Sequence, residues 1–107
     1  MVRTTSPPDT LERVGTALAD PTRRRILIRL LEGPAFPAEL ADTLGASRTN
    51  ISNHLTCLRG CGLVRTTRLG RQVRYELSSR ELNRALSVLT GLELDIECHH
   101  EDLDGRV

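Results

Sequence analysis

The apolar period of this chain changes once, and that change limits the folds open to it. From Pro37 to Leu58 apolar residues recur at helical spacing: Leu40, Ala41 and Leu44, then Ile51, Leu55 and Leu58. From Leu63 to Leu77 the period is two, with Val73, Tyr75 and Leu77 on one face and Gln72, Arg74 and Glu76 on the other. Gly45 separates the two helical runs, and Gly70 separates two strand candidates, 63–69 and 71–77. Two short helices joined by a glycine turn match a helix-turn-helix, and a basic-tipped hairpin directly after it is a wing. The expected fold is mainly α with a small β-hairpin, a winged helix-turn-helix.

The flanks add helices. Asp9 and Glu12 have capping-box spacing, which predicts a first helix over 9–19. Asp20-Pro21 is a second start signal, with Ile26, Leu27, Leu30 and Leu31 as its buried stripe and Gly33-Pro34 as its stop. Ser47 caps the helix that carries Ile51, Leu55 and Leu58. A last helix from Ser79 places Leu82, Ala85, Leu89, Leu92 and Ile96 on a heptad-like seam, with Leu86 and Val88 beside it. Such a stripe exceeds what a small domain needs for itself. The expectation is a homodimer formed through the first and last helices, with Leu11 contributed by the first. The chain divides into an N-terminal arm (1–8), the winged domain (9–97) and a polar tail (98–107).

Net charge is only +1 over 107 residues, but it is unevenly placed. Between Thr43 and Tyr75 lie arginines 48, 59, 65, 68, 71 and 74 and no acid, the footprint expected for phosphate contacts. Acids 93, 95, 97, 101, 102 and 104 crowd the C-terminal end, as a solubilising tail or as hard ligands for cations. No apolar run is long enough to span a membrane, and no signal peptide is evident. A cytoplasmic protein follows, whose three cysteines are thiols or metal ligands rather than disulfides. With one Phe, one Tyr and no Trp, the core must be aliphatic.

The helix capped by Ser47 would show DNA its short polar side chains Ser47, Arg48, Thr49, Asn50, Ser52, Asn53 and His54, suited to base edges and phosphates. Wing residues Arg68, Arg71 and Arg74 would follow the phosphate backbone. A dimer presents two such helices, so the expected partner is palindromic operator DNA. The same helix carries Cys57 and Cys61, which lie one turn apart and about 40° in azimuth from each other, so both thiols can reach one ion. Small buried hydrophobes are the plainer alternative for both. No acid is placed to orient a His54–Cys57 pair for catalysis, and an enzyme is not expected.

These residues carry a resemblance. Leu18-Ala-Asp-Pro-Thr-Arg23, Leu40-Ala-Asp-Thr-Leu-Gly45, the Ser52-Asn-His-Leu55 core and Gly70-Arg-Gln-Val-Arg-Tyr75 together resemble the ArsR/SmtB family of winged-helix repressors. The resemblance covers about Ala17 to Leu92. It implies a homodimeric repressor released from DNA by an inducer, often a metal. Two metal sites of that family are missing here. Phe36-Pro37-Ala38-Glu39 stands where a Cys-x-Cys pair would open the third helix, and Ser79 to Asp95 contains no His. The phrase from Asn53 through Cys57-Leu-Arg-Gly-Cys61 to Leu63 instead resembles the family's CmtR-type cadmium/lead sensors. That subgroup implies Cys57, Cys61 and, from the partner protomer, Cys98 as ligands, which makes 98–107 a metal-binding tail. His99 and His100 are possible accessory ligands. Sulfur donors select soft ions, so cadmium or lead is the expected inducer, with zinc able to bind. The alternatives are a thiol-redox repressor of the same fold and a zinc- or nickel-responsive one.

Overall fold

The structure, a computed structural model, describes residues 3–97. Five helices and one hairpin follow in order: α1 (Pro7–Ala19), α2 (Pro21–Leu30), α3 (Pro37–Leu44), α4 (Arg48–Gly60), β1 (Val64–Leu69), β2 (Gln72–Leu77) and α5 (Arg80–Thr90). The strands pair antiparallel, with Val64 opposite Leu77 and Leu69 opposite Gln72 across a turn in which Gly70 has φ 66°. The hairpin is anchored to the body by Ala35, which exchanges two backbone hydrogen bonds with Tyr75 at 2.9 and 2.8 Å.

Local chemistry accounts for the helix ends. Ser47 Oγ accepts from the Asn50 N–H at 3.0 Å and Ser79 Oγ from the Leu82 N–H at 3.1 Å, each satisfying an amide the helix itself leaves open. Gly45 closes α3 in the left-handed conformation, φ 64°, which an L side chain adopts only under strain. The α1 start differs from the predicted Asp9. Ser6 caps instead, its Oγ accepting from the Asp9 N–H, because Pro7 and Pro8 suit the first helical positions, where a missing N–H costs nothing.

The core is one aliphatic cluster drawn from every element. Ile26, Leu40, Ile51, Leu55 and Leu58 are wholly buried, joined by Ala17, Leu27, Leu30, Leu63, Val64, Leu77 and Leu86.

The last helix is shorter than its leucine seam. It ends at Thr90, so Leu92 and Ile96 lie beyond its end. Gly91 is a poor helix former, and Glu93, Asp95 and Glu97 would set negative charge against the negative end of the helix dipole. Of the expected seam, Leu82 packs against the chain's own core, whereas Ala85, Leu89, Leu92 and Ile96 are exposed. Leu86 is the one buried residue of α5.

Leu55→Ala should remove about 2–5 kcal/mol of unfolding free energy, read from denaturant midpoints, because the site is closed on all sides. A loss under about 1 kcal/mol would contradict that packing. Asp20, capping α2, provides a pH signature. The Arg23 backbone N–H holds the Asp20 carboxyl below its ordinary value of 3.8, with His54 and the Arg23 charge acting the same way against partial desolvation. A lowered folded value means stabilisation fully present above pH 3.8 and lost as pH falls through the folded value. The thermal midpoint of the wild type should therefore exceed that of Asp20→Asn at about pH 5 and converge with it towards about pH 2.

Candidate nucleic-acid interface and thiol pair

Burial of Ile51, Leu55 and Leu58 turns the opposite side of α4 outward. Arg48, Thr49, Asn50, Ser52 and Asn53 are all exposed there, and Ser47 sits at the helix start with its hydroxyl committed to capping. His54 stands apart from this row. Its side chain is 19% exposed and turns towards the α1–α2 junction, with Nε2 3.8 Å from Asp20 Oδ2. On the hairpin, Arg68 and Arg71 are exposed on either side of the Gly70 turn. Arg74, two strand positions further in, is half-buried, and its Nε is out of contact with water.

The arginines of α2 have a different task. Arg23 and Arg24 reach back to the last carbonyls of α1, which has no basic residue in its own last turn. Arg23 donates to Thr16 O at 3.0 Å and Ala17 O at 3.4 Å, and Arg24 to Leu18 O at 2.7 Å. Arg25 donates to Leu44 O at the end of α3, and Arg29 to Gly33 O. These guanidiniums close helix ends, which the sequence reading missed. The signal available for it was the Arg23-Arg-Arg25 run directly after a helix junction.

Cys57 and Cys61 are both free thiols at the C-terminal end of α4. The helical turn continues through them, the Cys61 N–H donating to Cys57 O at 3.0 Å. Cys57 is exposed and accepts a contact from Arg23 Nη1 at 3.7 Å. Cys61 is half-buried, packed against the core on one side and lining a cavity of about 350 Å³ on the other, with Arg3, Thr4, Thr5, Asp9 and Arg13 opposite. Two thiols one turn apart are a fitting donor pair for a soft ion. Among the described residues no three His, Cys, Asp or Glu side chains converge. Cys98, His99 and His100 lie outside the described residues. No helix among the described residues is long and apolar enough to cross a membrane.

Comparison with known proteins agrees with this layout. The family model described as "Bacterial regulatory protein, arsR family" matches residues 20–66, from the α2 cap into the wing. The HTH-type transcriptional regulator CmtR of Mycobacterium tuberculosis is 56% identical over 87 residues, spanning 81% of this chain and 74% of the relative. The NMR structure of the cadmium metal-sensor CMTR from that organism superposes with a TM-score of 0.66 at 53% identity, covering 86% of this chain and all of that one. The homodimeric winged helix-turn-helix domain Mb0332 of Mycobacterium bovis gives 0.72 at 28% identity, covering 84% of this chain and 87% of its own. With a winged helix-turn-helix fold, an outward-facing polar α4 and this identity to CmtR, the chain belongs to the arsR family of bacterial regulatory proteins and is a DNA-binding transcriptional regulator.

Proposed function

We propose that the chain is a homodimeric repressor whose α4 and wing hold palindromic operator DNA until Cys57 and Cys61 ligate a soft heavy metal. The observation that carries the reading is the placement of both free thiols at the end of the helix whose polar side is turned outward, in a chain so similar to a cadmium sensor. Cadmium or lead suits a sulfur donor set, and zinc would bind the same thiols. Cys98 of the partner subunit is the proposed third ligand, with His99 and His100 as accessory donors from the same tail. Bound there, the ion supplies a cross-link between thiolates of two chains.

The dimer surface proposed comprises the exposed apolar side chains Leu11, Ala85, Leu89, Leu92 and Ile96. Leu11 is 73% exposed and Ile96 72%, a degree unusual for side chains that only complete their own domain. Leu82, expected on this seam, serves the chain's own core and adds only its edge.

On DNA, Arg48, Thr49, Asn50, Ser52 and Asn53 read the groove, with Ser47 and His54 at its margins. Arg68 and Arg71 contact phosphate, and Arg74 supports the hairpin beside them. Ligation by Cys57 and Cys61 acts on the same helix, so affinity for DNA falls by the factor by which DNA weakens the metal. The thiols give up protons on ligation, so metal affinity rises with pH. The regulator would work in the cytoplasm, where thiols stay reduced.

Three experiments test this reading. Cadmium titration with a reductant present should raise thiolate charge-transfer absorption and release a fluorescent operator together. Cys98→Ser should keep operator affinity but blunt release, and normal release in that variant would remove Cys98 from the site. Arg68→Ala and Arg71→Ala should weaken operator and random duplex alike, each lowering the slope of log affinity against log salt by about one. Unchanged binding by both would take the wing off the DNA.

A further inference from the structure

We infer that Arg23 is a positioning residue through which the Cys57 thiol communicates with the rest of the DNA-reading helix. The inference rests on the metal reading above and deepens it. The guanidinium is held from behind, with Nη2 on Thr16 O and Nε on Ala17 O, which leaves Nη1 to donate to Cys57 Sγ at 3.7 Å. The backbone of the same residue donates to Asp20 Oδ2 at 2.9 Å, and that oxygen lies 3.8 Å from His54 Nε2. His54 and Cys57 are three residues apart and share a side of α4. The recognition helix is thus tied to the α1–α2 junction at two points, and both ties originate in the first turn of α2.

One tie is weakened by metal. A cation on Cys57 Sγ occupies a sulfur lone pair, draws electron density from the atom Arg23 donates to and sets positive charge beside the guanidinium, so ligation and donation from Arg23 oppose each other. Arg23 cannot follow the sulfur while two α1 carbonyls hold it. With Cys57 ligated, the Asp20–His54 contact is the remaining one of these two ties, and the C-terminal end of α4 can shift against the junction while its aliphatic row stays buried. Arg23 therefore favours the metal-free arrangement of α4, the one that holds DNA, and opposes metal at the same time.

Removing the guanidinium should shift both equilibria in opposite directions. Arg23→Gln is expected to bind operator several-fold more weakly without metal and cadmium several-fold more tightly. The ratio of DNA affinities with and without cadmium should shrink from the 5–150-fold range usual for such coupling towards unity. A purely structural role for Arg23, closing α1, would weaken DNA binding without tightening cadmium. The metal-free readout is a cycle with Cys57→Ala. If Arg23 acts through the thiol, Arg23→Gln lowers operator affinity in the wild type and adds little in the Cys57→Ala background. Thermal midpoints report whether each variant folds; should Arg23→Gln fail to fold, Arg23→Lys, a cation without the three-way fork, is expected to show the same opposite shifts in smaller measure. Additive effects in the cycle, or an unchanged cadmium affinity in a folded variant, would overturn the inference and leave the metal reading standing. A wild-type chain that forms no cadmium–thiolate band loses both.

Discussion

Ile51, Leu55 and Leu58 are wholly buried, and their burial dictates which side of α4 faces solvent. A side chain of that size gains about 1.5–3 kcal/mol when fully buried, so rotating α4 about its axis would cost more than any surface contact repays. Every functional feature inherits that orientation. The polar row from Arg48 to Asn53 faces out because the aliphatic row faces in. Cys57 is exposed and Cys61 half-buried because they flank Leu58 on the last turn.

Position separates the arginines of α2 from those at the tip of the hairpin. Arg23, Arg24 and Arg25 of α2 lie against carbonyls that end neighbouring helices, where a planar fork can satisfy more than one acceptor. Arg68 and Arg71 lie on either side of a hairpin turn with open solvent around them, as phosphate contacts require. Arg23 belongs to the α2 group yet touches a thiol on the recognition helix. That makes the α1–α2 junction the place where helix capping meets a thiol and a histidine of α4.

Much of this architecture follows from local sequence chemistry. Asp20-Pro21, Ser47 and Gly45 act where the sequence put them, since caps and left-handed turns are decided by a few neighbouring atoms. The change of apolar period at Gly62 marks the passage from α4 into the hairpin. The start of α1 was misplaced because Ser6 and Asp9 both qualify as caps locally, and two prolines decide between them. The end of α5 was misplaced because a leucine stripe records apolar demand without recording whether the backbone stays helical to Ile96. His54 shares the spacing of the outward polar row, but its Nε2 lies 3.8 Å from Asp20 Oδ2, a residue 34 positions away that no local pattern links to it.

The sequence alone determined the order of elements, the aliphatic core, the thiol pair at i and i+4 and the family. Each of these depends on spacing within one or two turns, and short-range spacing survives whatever the rest of the chain does. Tertiary structure decided which arginines close helices and which stay free, that Arg74 is drawn into the hairpin's side, and that Cys57 has a cation at its sulfur. Those outcomes depend on residues far apart in the chain meeting once the α4 face is buried, and no local pattern encodes such a meeting.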